Sequence, residues 1–198
     1  GIEAFCEKVF KYKYDELSNE NNIYVGVNTS GSEMNKDFYA YKATYTLNKN
    51  KLKKPLTLEE VAKVILYPEE KKKWDTAITA FDTIEKISDH AYVTKLKSAG
   101  VKLIMSDRES IIKNFEFKKD NCFINYGSTV PENYLQDDNV VRIFSYYNIT
   151  SIKETKDAFE ISVHSQADIK IPVPQMIAKT MYPGIIKDPF EKIEKGII

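Results

Sequence analysis

The feature that most limits the fold of this chain is a succession of strand patterns that fills about 90 residues and ends in a single helix. Aromatic and β-branched residues are frequent in this region, and Gly, Asn and Asp separate the runs. The strands are predicted at residues 76–87, 90–97, 109–117, 122–128, 140–152 and 159–169. Because parallel neighbours need long crossover connections, consecutive strands with short turns indicate an antiparallel sheet.

Shorter elements precede this region. A first helix is predicted over residues 2–17, and an antiparallel hairpin over residues 23–29 and 38–47. Thr57 and Glu60 form a capping box ahead of an apolar stripe, which predicts a helix that ends near Leu66. A short helix over residues 69–75 follows and carries Trp74. The terminal helix is predicted over residues 172–198, with a break near Pro183.

The order of these elements predicts an α+β fold, in which the long terminal helix covers one face of a curved antiparallel sheet. A chain of 198 residues buries about 70% of its unfolded surface, enough for a core without disulfides or metal. No repeat or flexible linker divides the sequence, so residues 1–198 are predicted to form a single domain.

Composition removes several classes of function. The 29 basic and 29 acidic residues cancel, so nothing attracts nucleic acid globally, and no apolar run approaches about 20 residues. Cys6 and Cys122 are expected to be reduced thiols of an intracellular protein, either soluble or peripherally bound to membranes. The sequence contains no common catalytic or phosphate-loop motif, and its two histidines are far apart. We therefore expect no enzyme activity, no cofactor and no metal.

An ordered set of segments carries a family resemblance. Tyr67 to Asp75 is similar to an "R-K-x-W-D" segment, Ser106 to Glu109 stands in the place of "P-R-D-F", and Val140 to Arg142 resembles "G-V-I-R". Together they resemble the START domains, the steroidogenic-acute-regulatory-protein-related lipid-transfer domains, and above all the members similar to phosphatidylcholine transfer protein. The resemblance implies the helix-grip (Bet v 1-like) fold, in which the sheet and terminal helix enclose a tunnel for one lipid.

The resemblance also implies a headgroup site on the short helix. Lys71 and Asp75 lie four residues apart, where phosphatidylcholine-transferring members carry an arginine and an aspartate. Lys71 would contact the lipid phosphate, and a solvated lysine-rich helix face is the alternative. The cage aromatics of choline-specific members fall on Thr94 and Ser110 here, so a complete choline cage is not expected. Ethanolamine, a mixed phospholipid range and another polar lipid stay open.

Strand alternation supplies further candidates. Counting in twos from Val140 places one set of side chains on a single face, which we expect to line the tunnel: Arg142, Phe144, Tyr146 and Asn148. By the family comparison, Tyr146 would pack on the headgroup and Asn148 would bond a lipid carbonyl.

Arg108 is also expected inside the tunnel. Lys95 stands where sterol-carrying members have an acidic partner for this arginine, so the compensating charge is expected from Asp75, Glu109 or a lipid anion. The loss of that acid weakens a sterol assignment.

An apolar run after Gly100 is the candidate lid. In START domains the equivalent loop covers the tunnel entrance and touches the membrane, and simple strand extension is the alternative. The run contains Val101, Leu103, Ile104 and Met105. Ile177 and Met181 on the terminal helix would form the other half of the gate.

These observations predict a monomer that binds one lipid, most readily a phospholipid, and transfers it through peripheral contact with membranes. The alternatives are a sterol or ceramide carrier, and a lipid-sensing regulatory module of a larger protein.

Overall fold

The computed structural model describes residues 1–30, 34–100, 106–131, 134, 140–171 and 174–197, with the backbone alone for 194–197. Its helices are α1 (Ile2–Phe10), α2 (Leu58–Leu66), α3 (Pro68–Lys71) and α4 (Gln175–Ile197). Its strands are β1 (Asp15–Glu20), β2 (Ile23–Asn28), β3 (Ala40–Asn48), β4 (Ile78–Ser88), β5 (Ala91–Ser98), β6 (Arg108–Lys119), β7 (Cys122–Thr129), β8 (Val141–Arg142), β9 (Phe144–Glu154) and β10 (Ala158–Asp168).

The described strands form one sheet in the order β1-β2-β3-β10-β9-β7-β6-β5-β4. Neighbours along this path are antiparallel, and the short strand β8 pairs with β6 in parallel. The predicted antiparallel sheet is therefore confirmed, as is the hairpin, which corresponds to β2 and β3.

The two faces of the sheet have different partners. We call the face that packs against α2 and α4 the inner face; its core includes Tyr45, Phe123 and Ile152. We call the face that packs against α1 the outer face; its core includes Ile124 and Ile149. Because side chains alternate along a strand, β7 and β9 contribute to both cores.

Helix α2 forms for local reasons. The backbone N–H of Glu60 donates to the Thr57 hydroxyl at 3.2 Å, and the Thr57 N–H donates to the Glu60 carboxylate at 2.8 Å. The apolar stripe of α2 enters the inner core, where the Trp74 indole N–H donates to the Val64 carbonyl at 2.9 Å. These contacts hold α2 and the following α3 against one end of the inner face.

Two predicted elements differ in the structure. Helix α1 ends at Phe10, and Asp15–Glu20 forms the edge strand β1 by pairing with β2. The polar side chains of β1 give no alternating pattern, so pairing alone makes it a strand. The expected break in the terminal helix is also wrong, because α4 continues through Pro183 and Pro189. Each proline removes one backbone donor, but packing of α4 on the sheet keeps it helical.

Helix α4 covers only part of the inner face. The Tyr182 ring stacks on Tyr41 at 4.0 Å between centroids, and Phe190 packs near Tyr45 at 5.8 Å. The inner-face side chains of β2 and β3 are accordingly buried. On the other half of the inner face, accessible surface remains at Leu96, Ser110, Ile112 and Asn148. The inner-face side chains on this half, from β5, β6 and β9, are therefore less covered than those of β2 and β3.

Candidate functional site

Lys71 at the end of α3 is the cation of this region. Many protein atoms surround the side chain, although it keeps some accessible surface. Its ammonium lies 5.8 Å from the centre of the Trp74 ring and makes no hydrogen bond or ion pair with a described residue. Burial lowers the pKa of Lys71 below its ordinary value, and the nearby Asp75 carboxylate opposes part of that shift. The structure thus gives Lys71 a more buried position than Lys72 and Lys73, which are exposed.

Asp75 lies one helical turn beyond Lys71. Its side chain is 4% exposed, and one carboxylate oxygen accepts the backbone N–H of Ala77 at 3.2 Å. The Asp75 N–H donates to the Lys71 carbonyl at 3.0 Å, so the helical path continues past α3. The structure therefore brings these two predicted site residues together on one side of the segment.

A buried carboxylate on β6 faces this segment. Glu116 is 8% exposed and accepts the Tyr67 hydroxyl at 2.9 Å, the Tyr92 hydroxyl at 2.5 Å and the Asn125 amide at 3.5 Å. No lysine or arginine among the described residues lies within ion-pair distance of it. Burial and then the adjacent Glu116 raise the pKa of both Tyr67 and Tyr92 above their ordinary values. The Glu116 side chain is therefore held by two hydroxyl donors and one amide donor.

Further polar side chains lie on the inner face besides Lys71, Asp75 and Glu116. The Asn114 amide donates to the Thr94 hydroxyl at 3.0 Å. Asn148 on β9 is exposed and its side chain makes no hydrogen bond with the part of the chain that the structure describes. Ser110 lies opposite Leu96 and keeps accessible surface. Thr94, Ser110 and Asn148 thus all lie on the predicted face.

A β-bulge changes the direction of the other β9 candidates. Gln166 pairs with Tyr147, whereas Ala167 pairs with Ser145, so Tyr146 is an extra residue on β9. Such an insertion reverses the alternation on one side of it. Tyr146 accordingly packs in the outer core, and its hydroxyl accepts the Asn35 amide at 2.7 Å.

Phe144 follows Tyr146 to the outer face. The two rings meet edge to face at 4.9 Å between centroids. The predictions that Tyr146 and Phe144 line the inner space are therefore wrong, because simple counting in twos crosses the bulge.

Arg142 also lies on the outer side. Its guanidinium donates to the Glu109 carboxylate at 2.8 Å and to the Tyr134 carbonyl at 2.8 Å. Glu109 is 1% exposed and also meets Lys95 at 3.1 Å. The expected tunnel position of Arg142 is wrong, because Glu109 on the outer face is its partner.

Arg108 is buried, and its partners are backbone carbonyls and Ser106 rather than the acidic side chains that were predicted. The lipid anion, the third predicted counter-charge, stays a prediction. Its guanidinium donates to the carbonyls of Ile169 at 3.0 Å and Lys170 at 3.1 Å, and to the carbonyl and hydroxyl of Ser106, both at 2.7 Å. Neither Asp75 nor Glu109 meets it, and Glu109 is held by Arg142 instead. Backbone dipoles therefore stabilise this charge, and Arg108 ties the end of β10 to the start of β6.

The lid candidates have mixed outcomes. Val101, Leu103, Ile104 and Met105 lie outside the described residues. On α4, Ile177 is 51% exposed in the first turn, and Met181 is partly buried.

Sequence reasoning missed the Tyr67, Tyr92 and Glu116 cluster. The available signal was an acidic residue in mid-strand between Phe115 and Phe117, in a strand whose other charges are mostly lysine. A buried strand rarely carries a glutamate unless it is paired, so this position merited attention.

The described residues contain neither a membrane-spanning helix nor a metal-binding cluster. None of their helices is both long and apolar enough to cross a membrane. The same residues contain no group of three or more His, Cys, Asp or Glu side chains placed to hold a metal ion.

Comparisons with known proteins agree on the fold. No protein-family model matches the sequence, and no curated protein matches it. Human StAR-related lipid transfer protein 5 superposes with a TM-score of 0.83 and 18% identity, over 98% of this chain and 93% of its own. The lipid transfer and protein localization domain of human StarD13 superposes with a TM-score of 0.77 and 13% identity, over 100% of this chain and 96% of its own. A STAR-related lipid transfer protein of Xanthomonas axonopodis gives 0.69 and 15% identity, over 93% and 96%.

The order of the strands, the helix α4 on the inner face and these superpositions over nearly the whole chain lead to one identification. The chain has the helix-grip fold of the StAR-related lipid transfer (START) domains.

Proposed function

We propose that this chain binds one lipid, a phospholipid, between α4 and the uncovered half of the inner face, and transfers it between membranes. The whole chain acts as one monomeric lipid-binding unit without catalysis or cofactor. The observation that carries the proposal is Lys71, a desolvated ammonium with no anionic partner at bonding distance among the described residues. A buried charge of this kind calls for a counter-charge, and a lipid phosphate supplies one.

The apolar part of the same region suits acyl chains. Leu96 and Ile112 keep accessible surface on the inner face although both are apolar. Exposing a diacyl lipid of about 30 methylenes to water costs roughly 25 kcal/mol, at about 0.8 kcal/mol each. A carrier must therefore offer an apolar space, and the fold shared with proteins described as lipid transfer proteins supports that role.

Membrane contact would involve the start of α4. Met176 is 74% exposed and Ile177 is 51% exposed, so the first turn presents an apolar surface. Val101, Leu103, Ile104 and Met105 stay the proposed lid on the sequence resemblance alone.

The test is phospholipid transfer by Lys71→Ala. Transfer of fluorescent phospholipid between donor and acceptor liposomes is expected to fall at least about tenfold, since a charge-assisted contact contributes about 1.5–3 kcal/mol. Lys73→Ala is the matched control, because Lys73 pairs with Glu70 on the surface and is 66% exposed. Circular dichroism checks that both variants fold.

Two results would contradict this proposal. If the unmodified protein neither transfers nor stoichiometrically extracts any lipid class, the carrier function is wrong. If transfer occurs and Lys71→Ala behaves as Lys73→Ala does, Lys71 is not the phosphate contact.

A further inference from the structure

Three side chains with distinct chemistry share one side of the α3 segment. The Lys71 N–H donates to the Tyr67 carbonyl at 2.9 Å, and the Asp75 N–H donates to the Lys71 carbonyl at 3.0 Å. These successive i to i+4 bonds make two helical turns, which place Tyr67, Lys71 and Asp75 above one another. The Tyr67 hydroxyl then reaches Glu116 across the inner face. Tyr67 therefore joins the Lys71 ammonium region to the Glu116 carboxylate region.

Glu116 can accept one more donor. A carboxylate offers about four acceptor sites, and Tyr67, Tyr92 and Asn125 use three of them. The group offers no hydrogen to a ligand, so only a ligand with an N–H or O–H can form a hydrogen bond with it. Tyrosine donors ease the burial of this charge, but a cation would stabilise it far more.

The charges of the region are thus complementary to a zwitterion. Lys71 is an ammonium without an anion at bonding distance, and Glu116 is a carboxylate without a cation, both within the described residues. A ligand with a phosphate and an amino group a few atoms apart would neutralise both. Asp75 beside Lys71 adds a second acceptor for the amino group.

The surroundings favour an amine that carries hydrogens. A trimethylammonium group has no N–H and is bound by open aromatic faces. Thr94 and Ser110 contribute no rings to the inner face, and Tyr146 lies on the outer face. Tyr67 and Tyr92 meet edge to face at 6.1 Å and direct their hydroxyls to Glu116 rather than forming an open cage.

We infer that the lipid is an aminophospholipid of the ethanolamine type, with its phosphate on Lys71 and its primary ammonium on Glu116. This inference rests on the proposed function and assigns Glu116, assisted by Tyr67 and Tyr92, as the residue that selects the headgroup.

The experiment is a headgroup series with identical acyl chains: phosphatidylethanolamine, its N-methyl and N,N-dimethyl derivatives, and phosphatidylcholine. Methylation keeps the positive charge and removes one N–H at a time, so it isolates the hydrogen-bond requirement. We expect stoichiometric extraction from liposomes to favour the ethanolamine lipid at least tenfold over the choline lipid, and to fall stepwise along the series.

Glu116→Gln tests the residue. The amide keeps the shape and loses the charge, so the ratio of ethanolamine to choline lipid is expected to fall to within about twofold of one. Glu160→Gln, at an exposed position of β10, is the matched control and should keep the ratio of the unmodified protein.

The possible failures are distinguishable. Equal or better extraction of the choline lipid by the unmodified protein overturns the inference and leaves the phospholipid carrier intact. Extraction of sterol or ceramide alone overturns both. Because the headgroup series uses the unmodified protein, it tests the preference for the ethanolamine lipid even if Glu116→Gln does not fold. An unchanged ratio in a folded Glu116→Gln protein removes Glu116 from headgroup selection.

Discussion

At the scale of single residues, His164 shows how burial sets chemistry. The side chain is 2% exposed and lies under α1, with the Phe10 ring at 5.1 Å and the Tyr14 hydroxyl 3.3 Å from Nδ1. Burial, with a contribution from Lys42, lowers the pKa of His164 from 6.5 to about 3. The imidazole is therefore neutral in the folded protein at neutral pH and well below it.

This shift predicts acid sensitivity. Above pH 6.5 His164 is neutral both folded and unfolded, so it has no effect. As the pH falls below the ordinary pKa, His164 becomes protonated in the unfolded chain but stays neutral in the folded protein. The free energy of unfolding therefore declines until the pH reaches the pKa of the folded state. Between pH 7 and pH 5 the loss from this residue is about 2 kcal/mol.

Urea denaturation at the two pH values measures the effect. Between pH 7 and pH 5, the free energy of unfolding of the unmodified protein should fall by about 2 kcal/mol more than that of His164→Gln. His90→Gln, at an exposed turn position, should follow the unmodified protein. Equal pH dependence in His164→Gln and the unmodified protein would exclude this explanation.

Arg108 illustrates a second rule at the same scale. A buried guanidinium needs its N–H donors satisfied, and carbonyl oxygens can accept them when the backbone presents these oxygens in the right place. Here the carbonyls of Ile169 and Lys170 do so. The sequence predicts an acidic partner for Arg108 because it gives the side chains but not the positions of the backbone carbonyls.

At the scale of elements, the capping box of α2 makes a local contribution that can be isolated. Thr57 bonds the first turn of α2 through its side chain, and α2 closes one end of the inner core. Thr57→Ala is expected to lower the free energy of unfolding by about 1 kcal/mol. Chemical denaturation measures it.

Thr57→Ser is the control for that substitution. Serine keeps the hydroxyl that accepts the Glu60 N–H, so its stability should stay within a few tenths of a kcal/mol of the unmodified protein. If both substitutions cost the same, the loss comes from the threonine methyl group and not from the cap.

The bulge in β9 has the largest consequence of any element feature. One inserted residue, Tyr146, places its own side chain and that of Phe144 on the outer face, while Asn148 stays on the inner face. A one-residue change of register moves side chains to the opposite face of a sheet. The composition of the candidate site therefore depends on this single irregularity.

At the scale of the whole molecule, the inner face is divided. Helix α4 packs on the inner-face side chains of β2 and β3, which are buried, and the opposite half keeps accessible apolar and polar groups. A ligand there would add the contacts that α4 does not provide. Binding to the folded state alone must then raise stability by mass action.

This division predicts that lipid stabilises the fold. For delipidated protein, monomeric short-chain phosphatidylethanolamine at about 100 times its dissociation constant should raise the free energy of unfolding by about 2.7 kcal/mol. The Tm should then rise by roughly 5–10 °C. Thermal unfolding followed by circular dichroism provides the measurement.

Lys71→Ala supplies the comparison for this shift. At the same lipid concentration it should show a smaller rise in Tm, because the phosphate contact is lost. A Tm that does not respond to any lipid would show that the inner face takes no ligand.

Local pattern accounts for much of the architecture. The capping box at Thr57, the strand runs between residues 76 and 169 and the terminal helix follow from periodicity and turn residues. The resemblance to START domains likewise correctly indicated the helix-grip fold. Lys71 and Asp75 were identified from the same resemblance, and the helical path of the segment brings both onto one side.

The rest depended on which distant segments meet. β1 is a strand because β2 pairs with it, Tyr67 and Tyr92 reach Glu116 from other elements, and Glu109 selects Arg142 rather than Arg108. The sequence by itself determined the type and order of most elements, since periodicity and capping act within a few residues. Only the tertiary structure decided which side chains face the inner space, because strand register and bulges come from pairing between residues far apart in the chain.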